Sequence, residues 1–126
     1  MQEQSVELTR EFLKAGCEIL RIDHRARVTT TLAKFRYNFK YTPERCSYLF
    51  VRICNHPAIP DNYEPKHLLW TLYFLLTYAT ERRMCCIFQA DRKTIRKYTW
   101  PTITAIARLA PRYVSLYSCA SNFPPC

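Results

Sequence analysis

One glycine in 126 residues leaves this chain almost nowhere to turn a tight hairpin. Hairpin loops draw on glycine because it enters positive φ without a Cβ clash. The eight prolines cluster at candidate helix ends, and no sustained alternation of apolar and polar residues occurs before residue 112. An all-α fold follows, a small helical domain ending in a short extended or disordered C-terminal tail. A chain of this length supports one domain around one modest core rather than two well-buried ones.

The elements can be read in order. Residues 5–22 place Val6, Phe12, Leu13, Ile19 and Leu20 at helical spacing, and Gly16 weakens the middle by about 1 kcal/mol unless close packing uses it. From Asp23 to Lys40, Arg25, Arg27, Lys34, Arg36 and Lys40 are mixed with Phe35, Tyr37 and Phe39, and the β-branched run Val28–Thr31 argues against a strong helix. Such a mixture suits stacking on single-stranded bases, or an irregular segment or short helix that docks its aromatics into the core; the second reading is preferred. Thr42, Pro43 and Glu44 form a helix start, followed by Cys46, Leu49, Phe50 and Ile53 on one face to about Cys54. Residues 55–64 carry two prolines and no periodicity, and read as a loop and internal linker. Pro65 opens the most apolar segment, apolar all round and therefore buried, running to Thr80. The organisation expected is an N-terminal helix and basic segment (1–40), a helical domain (41–110) and a tail (111–126), with Pro111 ending the last helix and 112–118 weakly strand-like.

Within the second region, residues 80–98 read as two short helices joined by a tight turn. Thr80 can cap the first helix, with Glu81 at its positive dipole end, and Asp91 can cap the second. Cys85, Phe88, Ala90, Ile95 and Tyr98 are the small or apolar positions able to pack the two helices together, and Thr94 and Ile95 are expected to be buried. This is the pattern of a helix-turn-helix, with Gln89 standing where glycine is usual. Together with the preceding apolar helix it makes the three-helix unit of such domains. The alternative is an ordinary helical hairpin with a solvated basic face. Trp100-Pro101 is expected to kink or stop the second helix, which then resumes from Thr102 to Leu109.

Charge is concentrated in two places. Residues 21–45 hold seven basic residues against Asp23 and Glu44, residues 80–100 hold six against Glu81 and Asp91, and these two segments account for the whole formal charge of +9. Segregated positive charge favours a polyanion, because each phosphate neutralised releases counterions. Double-stranded DNA is the expected partner: Arg92, Lys93 and Arg96 reach bases or phosphates, and Lys97, Arg82 and Arg83 reach phosphates. The competing reading is a protein-interaction module that binds another chain or forms a homodimer.

Other chemistries find little support. Seven cysteines occur without a C-x-x-C pair, and Cys54-Asn55-His56 has no second ligand pair at finger spacing, so neither a metal nor another cofactor is expected. Most thiols are expected to be reduced, small core residues. No nucleophile and base stand at suggestive spacing, with His56 in a loop and His67 at a helix start. No enzyme activity or small-molecule substrate is expected. No apolar run approaches the roughly 20 residues of a membrane span, and the first residues lack a signal peptide's character. An intracellular protein is expected, nuclear if eukaryotic.

The run KHLLWTLYFLLTYATERRM followed by DRKTIRKYTW, with FRYNFKYTPERCSYLF before it, resembles the N-terminal region of Harbinger-like DDE endonuclease transposases and related transposase-derived proteins. The likeness spans about residues 35–110. It is carried by His67-Leu68-Leu69-Trp70, Leu72-Tyr73-Phe74-Leu75, Tyr78-Ala79-Thr80-Glu81 and Thr94-Ile95-Arg96-Lys97 closed by Trp100. The resemblance implies a helix-turn-helix for transposon-end DNA, with Arg92, Lys93, Arg96 and Lys97 at the groove. Two departures stand out: Pro101 lies where the family continues its helix, and the sequence stops where an RNase H-like catalytic domain would begin. The family's metal-binding acids belong to that domain, and Asp23, Asp61 and Asp91 lie on separate elements, so no nuclease activity is expected. A truncated transposase product or a non-functional fragment is the implied origin.

Overall fold

The computed structural model describes residues 2–23 and 25–109, and among them six α-helices and no strand. They are α1 (Gln2–Leu20), α2 (Val28–Phe39), α3 (Pro43–Ile53), α4 (Pro65–Thr77), α5 (Glu81–Phe88) and α6 (Arg92–Leu109). His24, Pro111, the strand-like 112–118, the expected tail, Cys119 and Cys126 lie outside the described residues.

The all-α expectation holds, and α4 is the element around which it is built. Leu68, Leu69, Trp70, Thr71, Leu72 and Tyr73 are six consecutive buried residues, which a helix achieves when neighbours cover it on every side. α4 packs against each of the other five helices, most extensively against α6, while α1 packs chiefly on α3. Its far end differs from the sequence expectation. The helix stops at Thr77, with Tyr78 in the left-handed region at φ 53°, and Leu75 and Leu76 are exposed. Apolar composition alone does not bury every residue of a last turn.

α2 is regular despite its β-branched start, which supplies only the first turn. Phe35 and Phe39 are fully buried, edge to face at 4.9 Å, whereas Tyr37 is 83% exposed. The aromatics of this basic segment therefore serve mostly as core. Gly16 of α1 lets α2 approach, because a Cβ there would lie 2.5 Å from two ring atoms of Phe35. α3 begins as its sequence indicates: the Thr42 hydroxyl accepts from the Arg45 amide at 3.3 Å, with Pro43 and Glu44 in the first turn. The 55–64 loop is anchored by Tyr63, whose ring stacks on Phe50 at 5.5 Å and whose hydroxyl lies 2.7 Å from Thr102 Oγ1.

Of the kink or stop expected at Pro101, the stop does not occur: α6 runs unbroken from Arg92 to Leu109. The proline removes one amide donor to the carbonyl four residues back, but Ile95 and Tyr98 before it and Thr102 and Ala105 after it are all buried. Packing on both sides holds the two halves in one helix. Of the described cysteines, Cys46 is buried and its thiol is pushed up to about 12, chiefly by desolvation. Cys17 and Cys85 are half-buried, and Cys54 and Cys86 are exposed, so only one of the five is a true core residue.

Candidate nucleic-acid interface

The segment from Thr80 to Tyr98 folds locally for the reasons its sequence supplies. The Thr80 hydroxyl accepts from the Arg83 amide at 3.2 Å, capping α5. Asp91 Oδ1 accepts from the Thr94 amide at 3.2 Å and also from the Thr94 hydroxyl, capping α6. These bonds, the Thr94 hydroxyl first, hold the Asp91 carboxyl below its ordinary range. Between the caps, Gln89 adopts φ 54° and ψ 48°, the conformation for which glycine is usual, and the Gln89 and Ala90 amides both turn back to the Cys85 carbonyl.

Periodicity then divides the faces. Met84, Phe88, Ile95 and Tyr98 point inward. Phe88 stacks on Trp70 at 5.4 Å and meets Tyr73 edge to face at 5.6 Å, so the hairpin is seated on α4. Thr94, expected to be buried with Ile95, is only half-buried because its hydroxyl serves the cap. Cys85 is half-buried too, and Met84 rather than Cys85 is the fully enclosed residue of α5. Sequence reasoning missed Met84, although its i, i+4 relation to Phe88 is a signal for a shared face.

All six cationic residues expected at a nucleic-acid surface, Arg82, Arg83, Arg92, Lys93, Arg96 and Lys97, are exposed. On α6 the four fall at i, i+1, i+4 and i+5, a spacing that puts them on one side of a helix. They are not equivalent. Arg96 Nε donates to Glu81 Oε1 and Arg96 Nη2 to Glu81 Oε2, both at 2.9 Å, joining the start of α5 to the second turn of α6. The paired hydrogen bonds hold the Glu81 carboxyl below its ordinary range and the Arg96 guanidinium above its own. Lys97 Nζ lies 5.3 Å from the centroid of the Tyr98 ring, close enough for a cation–π contribution.

Beneath this surface is a buried aromatic stack that the sequence did not indicate. The His67 ring lies parallel to Tyr98 at 3.6 Å and edge-on to Trp70 at 4.9 Å. His67 Nδ1 accepts from the Glu64 amide at 2.9 Å, and the His67 amide donates to the Glu64 carbonyl at 3.0 Å. The imidazole's pKa is lowered to about 4, first by burial and then by Lys66. His67 is thus a neutral structural residue, with its acceptor nitrogen committed to the start of α4. An open groove of about 760 Å³ runs past this stack, between Tyr63 and Asp91. The titratable side chains His67 and Asp91 on its wall already have local partners.

Elsewhere, Arg25, Arg27, Lys34, Arg36, Lys40 and Arg45 are exposed on or beside α2 and the start of α3. Among the described residues no group of three His, Cys, Asp or Glu side chains is arranged to hold a metal ion, and no helix is long and apolar enough to cross a membrane. The chain matches no known protein-family model, no curated protein and no solved structure.

Proposed function

We propose that this chain is a double-stranded DNA-binding module of transposase origin, in which α6 enters the major groove and which has no nuclease activity of its own. The observation that carries this reading is the division of α6: Ile95 and Tyr98 are buried against α4 and α5, while Arg92, Lys93, Arg96 and Lys97 stand exposed on the opposite side. A major groove about 12 Å wide admits one α-helix. Arg92, Lys93 and Arg96 then reach bases or phosphates, and Lys97, Arg82 and Arg83 grip the backbone, which positions the module without reading sequence. The resemblance of residues 35–110 to transposase N-termini adds the class of DNA, a transposon end, and a nuclear location in a eukaryote.

A fluorescence-anisotropy titration of a random duplex at two or more salt concentrations tests the reading. With about four phosphates neutralised, log K should fall against log salt with a slope near −3.6. Replacing Arg92, Lys93 and Arg96 together by alanine should abolish binding while helicity is kept. Absent or salt-insensitive binding by the parent chain would sink the reading.

One observation favours a second reading. Leu75, Leu76, Tyr78 and Trp100 are exposed, and Trp100 meets Phe74 edge to face at 6.4 Å. Uncharged exposed groups of this kind suit association with another chain. A tight dimer in size-exclusion chromatography without duplex affinity would transfer the function to that surface.

A further inference from the structure

We infer that Glu81 is a positioning residue that aims Arg96 at a guanine, making this pair a determinant of base preference. The inference rests on the DNA-binding reading above and adds to it which cation reads sequence and why. A guanidinium carries five N–H donors in a rigid plane. Glu81 occupies the side-on pair, taking one hydrogen from Nε and one from Nη2 at 2.9 Å each. Three donors remain: both on Nη1 and the second on Nη2. The outward hydrogens of Nη1 and Nη2 form the end-on fork, whose spacing matches the O6 and N7 acceptors that guanine presents in the major groove.

Position and charge support the same assignment. Arg96 lies in the second turn of the helix proposed to enter the groove, and its side chain is 57% exposed even when paired. The carboxylate cancels the guanidinium's charge, which weakens Arg96 as a phosphate contact and leaves backbone attraction to Arg82, Arg83, Arg92, Lys93 and Lys97. A long arginine held by two bonds gives up less freedom on meeting a base than one that swings free. As a stabilising interaction an exposed pair is worth little. Its value here is geometric.

The test is selection from a pool of randomised duplexes, followed by affinity measurements on selected and single-base-changed sites. Wild type should prefer guanine at one position in each site by about tenfold or more. Arg96→Gln should erase that preference. Glu81→Gln should reduce it to about threefold or less while raising affinity for the unselected pool, because one negative charge is removed. The double variant Glu81→Gln/Arg96→Gln should lose the guanine preference as fully as Arg96→Gln alone, because without the guanidinium there is nothing for Glu81 to aim. Glu81→Asp retains a charge at the start of α5 but withdraws the carboxylate by one methylene, so it should lose preference like the glutamine variant. A purely structural role predicts instead a lowered thermal midpoint with the guanine preference intact. Retention of the full preference in Glu81→Gln, or a guanine preference insensitive to Arg96→Gln, would overturn this inference and leave DNA binding standing. Failure of wild type to bind the pool at low salt would overturn both.

Discussion

Gln89 shows how much a single residue can concede to the turn it occupies. At φ 54° its Cβ crowds the backbone, a conformation costing an L residue about 1–2 kcal/mol, whereas glycine adopts it freely. Part of that gain is offset by the larger freedom of glycine in the unfolded chain. Gln89→Gly should therefore stabilise the protein by about 0.5–1 kcal/mol, read as a higher urea midpoint at unchanged slope. An unchanged or lower midpoint would mean that the Gln89 side chain supplies something the turn needs. At this scale the sequence is informative, because capping is a local interaction. Thr42, Thr80 and Asp91 could be assigned from their neighbours alone, and each accepts the amide three residues on. Glu81 was legible as a charge at a helix start, but not as the partner of Arg96 fifteen residues away.

Between elements, side-chain volume sets how closely helices approach. Gly16 lies in the middle of α1, where helix propensity alone would favour alanine by about 1 kcal/mol. The facing ring of Phe35 is 1% exposed and braced by Phe39, leaving it little room to retreat when a methyl group arrives at 2.5 Å. Overpacking of this kind costs about 1–3 kcal/mol, so Gly16→Ala should destabilise by about 1 kcal/mol net despite its better propensity. A denaturation midpoint above wild type would show that α2 shifts at no cost. Apolar spacing and end signals indicated α1, α3, α4 and α5, but not the regular helix of α2 or the unbroken run of α6. What spacing could not supply was context: Pro101 sits inside α6 because buried residues hold both sides of it, and Leu75 and Leu76 in the last turn of α4 are exposed despite their apolar character. The same limit applied to α2, where one face took Phe35 and Phe39 inward and left Tyr37 out.

For the whole molecule, His67 links proton uptake to global unfolding. Its ring sits in the stack that joins the start of α4 to α6, and its folded pKa of about 4 lies below the ordinary 6.5. Above pH 6.5 the imidazole is neutral in both states. Between about 6.5 and 4 the unfolded chain takes a proton that the folded chain refuses, so the His67 contribution should fall by on the order of 2 kcal/mol, after solvent screening, as pH drops through that window. Glu81 and Asp91, with carboxyls held low by their partners, lose their contributions as pH falls from the ordinary carboxylate range through their lowered folded values, which overlaps the acid end of that window. Urea unfolding at pH 7.5, 5.5 and 4.5 should show this decline in wild type and a shallower one in His67→Gln, whose amide oxygen can still accept from the Glu64 amide. Equal pH dependence in the two proteins would remove His67 as the cause.

The sequence by itself determined the helical class, the caps, the turn at residue 89 and the two concentrations of positive charge, because these depend on residues within one or two turns of each other. Tertiary structure alone decided that Glu81 holds Arg96, that His67 lies under Tyr98 and that Phe35 rests on Gly16. Periodicity specifies which face of a helix turns inward; it carries no record of which distant face it will meet. That is settled when elements compete for the same buried volume.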